Sequence, residues 1–346
     1  MTAYKDVPFS YSSYKNFKIV KRMSEQKQQL KNRISSIDQF RGFAILGMIF
    51  VNYLGHFDVI PETFKHPRFG MTFANAIAPF FLIAVGMGFR MSLEQRILKT
   101  GKLKSRINAV KRYFILILIG IVLYGPDPVS DMWDALVDIG FAGLLSLPFI
   151  LSNKWVRIIM AVVYLVSYQM MFIFSGYGEW TMKNSIDGGP LGILSWASIL
   201  LFGTVLMDDI FSESPSRFIK KTIIGGAILM IIGYVISRLE PSELWQFSQR
   251  SMTMAYPIFA SGLSFMVFTA FFWLADQKKI MIPHLTLLGM NPLLIYIVQQ
   301  IVIAFYGGIL PKQAPLWQAL TGFVGVYLIC FVIARYFDRN KWIVKI

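Results

Sequence analysis

Apolar residues run in long blocks along the chain, near 42–55, 72–89, 113–124, 139–152, 156–174, 191–207, 222–237, 253–274, 285–304 and 316–334. Short polar stretches separate them. A helix that crosses a bilayer needs about 20 mostly apolar residues, so these blocks predict ten crossings. The shorter blocks reach that length only with their flanking aromatic and basic residues. Residues 1–33 contain the polar run KQQLKNR and no apolar signal core, and read as a cytoplasmic tail. Residues 34–346 read as one transmembrane domain. The expected fold class is all-α: a polytopic membrane bundle of about ten helices, with N and C termini cytoplasmic.

The basic residues test that order. Only Lys65, Arg68, Lys183, Arg238, Arg250 and Lys312 fall in the expected outer segments. The rest of the 34 Lys and Arg lie in the tail through Arg41, in 90–112, 153–157, 208–221 and 275–280, or after 334. Cytoplasmic loops attract such an excess. The outer segment 125–138 instead carries Asp127, Asp131, Asp134 and Asp138. A protein with 55% hydrophobic and 15% charged residues falls well below the roughly 25% charge of soluble domains. The net charge of +15 is therefore a topology signal. No basic stripe interleaved with exposed aromatics points to nucleic acid. The single Cys330 has no partner in the chain, and no metal-ligand spacing occurs.

Polar side chains inside apolar runs are costly and mark candidate sites. Four places stand out. Asp38 and Arg41 lie three residues apart at the mouth of the first run. They can pair on one helix face, or Arg41 can grip a phosphate while Gly42 admits a close backbone. Asn52 lies about 15 Å beyond Gly42 along the same helix. His66 precedes Pro67 in the first outer loop, and histidine suits proton transfer near neutral pH. The helix that follows carries Asn75 and Pro79. Finally, Gly289-Met290-Asn291-Pro292 interrupts the ninth run, as broken helices do beside cavities. Asp208 and Asp209 read as a solvated pair on a cytoplasmic loop. Phosphate loops, nucleophile elbows and zinc motifs are absent from the sequence.

These pieces resemble the transmembrane N-acetyltransferases typified by heparan-alpha-glucosaminide N-acetyltransferase. Arg33-Ile34-Ser35-Ser36-Ile37-Asp38-Gln39-Phe40-Arg41-Gly42 is similar to the family opening R-x-x-S-[LIV]-D-x-[FL]-R-G. Gly47 to Tyr53, Phe64-Lys65-His66 and Gly70 to Phe81 resemble the blocks that follow. Asp187-Gly188-Gly189-Pro190 and Leu288-Gly289-Met290-Asn291-Pro292-Leu293 resemble later, looser blocks. The chain departs from the pattern at Asn75, where the family has Asp. It also lacks the Glu of the block at Asp187, and the Gln-Arg that ends a glycine-rich stretch.

The resemblance implies a cell-membrane acyltransferase. It would move an acetyl group from cytoplasmic acetyl-CoA to an extracytoplasmic amine or hydroxyl, on a sugar, with no metal. It implies His66 and Asn52 as catalytic residues. Asp38, Arg41 and Asn291 would meet the donor, and Asn75 and Asp187 the acceptor. Expected partners are membrane lipids, acetyl-CoA and the carbohydrate or amine acceptor, with no nucleic acid and a homodimer as an open alternative. The alternative function is a multi-pass transporter of a small polar solute, since broken helices and buried amides also fit a midplane substrate site.

Overall fold

The computed structural model describes residues 34–129, 132–306 and 308–344. The tail read over 1–33, and Asp131, lie outside the described residues. Each of the ten apolar blocks contains helix. The α-helices of eight residues or more among the described residues are α1 (Ser35–Leu54), α2 (Phe73–Thr100), α3 (Lys102–Tyr124), α4 (Ala135–Ser146), α5 (Lys154–Phe174), α6 (Tyr177–Asn184), α7 (Gly189–Ser212), α8 (Pro215–Ile236), α9 (Ala255–Phe271), α10 (Pro283–Met290), α11 (Pro292–Tyr306) and α12 (Leu316–Arg339). Among the described residues there is no strand.

Among the described residues, seven helices are long and apolar enough to cross a membrane, or eight if the bent pair α10–α11 is one span. The remaining two blocks differ for physical reasons. Helix α1 has the length, but Ser35, Ser36, Asp38, Gln39 and Arg41 dilute its apolar character. Helix α4 has 12 residues, about 18 Å of helix against a hydrocarbon core of about 30 Å.

Burial separates an inner from an outer set. In the apolar window of α7, 78% of residues are buried inside the protein, against 17% in α8 and in α12. Helix α7 packs along α2 and α5, and α9 along α8. Exposed side chains such as Val122, Phe174, Ile231 and Val332 give the outer set the apolar surface that lipid requires.

Local chemistry sets the breaks. Thr72 caps α2 by accepting from the Asn75 backbone N–H, and Asp134 and Asn153 cap α4 and α5. Pro292 has no N–H to continue α10, so the chain turns by 91° between α10 and α11. A π-turn over Phe272–Gln277 ends α9 and presents the Asp276 carboxylate to the backbone N–H groups of Ser35 and Ser36, at 3.1 and 3.3 Å. That anion satisfies the start of α1 from another part of the chain.

Helices α1 and α10 meet backbone to backbone. A Cβ at Gly42 would overlap the Leu285 carbonyl, and one at Gly289 would overlap the Asp38 carbonyl. Small residues permit such close approach between membrane helices. Gly289→Val is expected to cost at least the roughly 1–3 kcal/mol of an overpacked core. The measurement is the thermal unfolding midpoint in detergent, which should fall below that of the unchanged protein.

The carboxylates Asp208 and Asp209 correct one expectation. They sit in the last two turns of α7, not on a solvated loop. Asp208 pairs with the fully buried Arg157 and with Arg90, while Asp209 pairs with Lys154 and Lys221. Three expected cytoplasmic segments therefore meet in one ionic network at one end of the bundle. The positive charges made the loop reading attractive, but those charges are partners that let the helix continue.

Candidate active site

Four loops converge at the other end of the bundle. They border a cavity of about 700 Å³ lined by Asn52, His66, Asn75, Asp134, Asp187 and Gln249, among others. These residues come from the end of α1, the loop before α2, α2 itself, the cap of α4, the turn before α7 and the loop before α9. The structure thus brings together four of the residues expected from the sequence: Asn52, His66, Asn75 and Asp187.

His66 stands at the centre of a hydrogen-bond chain. Its Nδ1 lies 3.0 Å from Asn75 Oδ1 and 3.3 Å from Gln249 Oε1. Asn75 is fully buried, and its Nδ2 donates to the Gly70 carbonyl at 3.1 Å. A carbonyl can only accept, so the Asn75 oxygen must face the imidazole. Gln249 Nε2 likewise donates to Asp187 Oδ1 at 3.3 Å, which turns the Gln249 oxygen toward His66. Two acceptors at Nδ1 place the proton there. Nε2 is then the basic nitrogen.

Burial pulls the His66 pKa below its ordinary value, and the bonds to Asn75 and Gln249 only partly offset that. His66 faces the cavity and is exposed to it, yet protein surrounds the cavity, so the charged imidazolium is poorly solvated. The neutral ring prevails at neutral pH. The Asp187 carboxyl is pushed up to about 8, first by burial and then by nearby Asp134, and burial also raises Asp134. Asp187 has a left-handed backbone, φ 51°, and continues into Gly188 and Gly189 with φ 84° and 59°. This turn presents the carboxyl to Gln249 and aims the backbone into α7.

A second cavity, of about 270 Å³, lies toward the opposite end. Arg41, Ser92 and Arg112 supply its polar wall, with Met290 and Pro292 at the α10–α11 bend. Arg41 also pairs with Asp38 at 3.7 Å and donates to the Gly289 carbonyl at 3.4 Å. Asn291 is bonded to the C-terminal segment. Its Nδ2 donates to the Trp342 carbonyl at 3.0 Å, and its Oδ1 accepts from the Val344 N–H at 2.9 Å. Both ends of the amide hold the C-terminal segment, which brings Val344 into the wall of this cavity.

A sequence profile described as "Heparan-alpha-glucosaminide N-acetyltransferase, catalytic" matches residues 33–233, more than half of the chain. The chain belongs to this family. Heparan-alpha-glucosaminide N-acetyltransferase of Mus musculus is 36% identical over 117 residues, covering 32% of the chain and 17% of that protein. That of Homo sapiens is 37% identical over 112 residues, covering 30% and 16%. An uncharacterized 39.9 kDa protein in the amylase 3'region of Bacillus acidopullulyticus is 30% identical over 135 residues, 37% of each chain. The chain thus aligns with about a sixth of the mammalian relatives' length. It is a membrane protein of an N-acetyltransferase family. The profile includes Arg41, Asn52, His66, Asn75, Asp134 and Asp187, and stops before Gln249.

Gln249 escaped the sequence reading because nothing local marks it: it reaches His66 across 183 positions. Arg112 looked purely topological. Gln300 sits inside an apolar run, and the cost of burying an amide could have singled it out.

The amide at position 75 has a measurable consequence. Asn75→Asp would place a carboxylate against Nδ1–H and favour the imidazolium, so the His66 pKa should rise. Diethyl pyrocarbonate modifies unprotonated imidazole, and its reaction at the His66 peptide can be followed by mass spectrometry. The midpoint of that reaction should move to higher pH in Asn75→Asp than in the unchanged protein.

Proposed function

We propose that the protein transfers an acetyl group from acetyl-CoA, supplied from the cytoplasm at the Arg41–Arg112 cavity, to an amino or hydroxyl group, on a sugar, entering the His66 cavity from outside. The observation that carries this reading is the pair of cavities: a basic one at one end of the bundle, and one at the other end where His66 holds Nε2 free. Ten crossings with both termini in the cytoplasm of a cell-membrane protein fit the distribution of Lys and Arg. They require α1 and the short α4 to cross with their flanks.

Arg41 and Arg112 suit the phosphates of the donor. His66 Nε2 takes the proton of the acceptor as its nitrogen or oxygen attacks the thioester carbonyl. The new C–N or C–O bond forms, the C–S bond breaks, and the proton passes from His66 to the departing thiolate. Asn52 donates an N–H to the carbonyl oxygen as it gains charge. Asp134 and Asp187 line the same cavity and can hydrogen-bond to the acceptor's polar groups.

The test uses the purified full chain in proteoliposomes with acetyl-labelled acetyl-CoA and glucosamine or other amino and hydroxyl sugars. Acceptor-dependent release of CoA with label on the sugar is expected. The 91° bend beside the basic cavity also fits a transporter. Sugar uptake without any release of CoA would favour that reading and overturn the first.

A further inference from the structure

The two cavities adjoin along α1, α4 and α11. Helix α4 contributes Ala135 to the outer cavity and the next residue, Leu136, to the inner one. Helix α11 contributes Gln300 to the outer cavity and Leu293 to the inner. Two side chains border both: Met48 of α1 and Tyr296 of α11. Both are buried, at 6% and 4% exposure, so they form the wall between the cavities.

That wall is fastened by neutral hydrogen bonds. The Tyr296 hydroxyl bonds to the hydroxyl of Tyr124, the last residue of α3. Gln300 Nε2, one turn outward on α11, donates to the Tyr296 hydroxyl at 3.0 Å and to the Tyr124 hydroxyl at 3.5 Å. The cluster is made of two hydroxyls and an amide, so opening it exchanges neutral hydrogen bonds for others at small net cost. Met48 is unbranched and flexible. A wall of this kind holds when nothing pushes on it and parts for a narrow chain that brings its own amides.

We propose that Tyr296, held by Tyr124 and Gln300 and backed by Met48, is the latch that separates the inner cavity from the outer one and determines whether a ligand arm passes between them. Resting on the function proposed above, the arm is the acyl-bearing pantetheine of the donor. It is slender and carries amides that can replace the Gln300 and Tyr124 bonds. The closed latch keeps the inner compartment from leaking to the outside between turnovers.

The test reads passage directly and needs no catalysis. Ala135→Cys, in a Cys330→Ala background, places a thiol in the outer cavity. Membrane vesicles of each orientation are treated with a charged, impermeant methanethiosulfonate. With Tyr296 intact, the thiol should react from the outer face only. Adding Tyr296→Ala should raise the inner-face rate by roughly tenfold or more, the factor for about 1.4 kcal/mol. The double variant Tyr124→Phe/Tyr296→Phe keeps the volume and removes the hydroxyls. It covers the case in which Tyr296→Ala fails to fold, and should also react from the inner face. Leu293→Ala, in the inner wall alone, should not. Inner-face rates unchanged by both latch variants, or raised equally by Leu293→Ala, would overturn the latch. That result would leave the acetyl-transfer reading standing, and a protein inactive with acetyl-CoA would still report on the latch.

Discussion

Replacing His66 by alanine is expected to lower acetyl transfer by roughly 10²–10⁴-fold, the usual contribution of a positioned general base. The size of the effect follows from how the ring is held. Asn75 and Gln249 both present oxygens to Nδ1, so the ring cannot turn or change tautomer without breaking two bonds. Its lowered pKa keeps Nε2 unprotonated at neutral pH, so the acid limb of the pH profile should fall below 6.5. His56 is an internal control. It lines the same cavity without that pair of amides, and His56→Ala should change the rate little. His66→Gln should be as inactive as the alanine variant, because an amide can hydrogen-bond to the acceptor but cannot take its proton. The measurement is labelled acetyl transferred per folded protein, with folding checked by a monodisperse profile in detergent. A folded His66→Ala that transfers at the unchanged rate removes His66 from the mechanism.

The apolar blocks located every crossing-length helix because lipid leaves the backbone few alternatives. Runs that must satisfy their own N–H and C=O groups become helical wherever apolar residues are continuous. What the pattern missed depends on long-range pairs. The α1 start is capped by Asp276, more than 200 positions away, and no local signal announces it. Asp208 looked solvated because its partners, Arg90 and Arg157, belong to other helices. At the candidate site, His66 and Asn75 are each marked in the sequence and lie nine positions apart, joined by a short loop. Gln249 and Asp187 complete the chain only because the loops before α7 and α9 fold to the same end. Asn291 shows the converse. A buried amide at a helix break stands out in the sequence, whereas its bonds to the C-terminal segment do not.

Asn52→Leu is expected to lower kcat by roughly 10²–10³-fold while leaving KM for the donor nearly unchanged, the signature of a lost oxyanion donor. Its side-chain amide has no hydrogen-bond partner among the described residues, yet it borders the cavity of His66. Asn52 is one turn beyond Met48 on α1, and residues four apart share a face. A thioester that clears the wall at Met48 and Tyr296 therefore meets Asn52 next. The donor group costs little to position, because α1 is fixed at its far end by the backbone contact of Gly42 with α10 and by Asp276. An N–H held in place before the reaction stabilises the developing charge without reorganising around it. Asn52→Asp sharpens the test: it preserves shape but aims a carboxylate oxygen where the N–H stood, so it should be at least as slow as the leucine variant. If Asn52→Leu instead raised KM at constant kcat, the amide would be binding the ground state, and the oxyanion would need another donor.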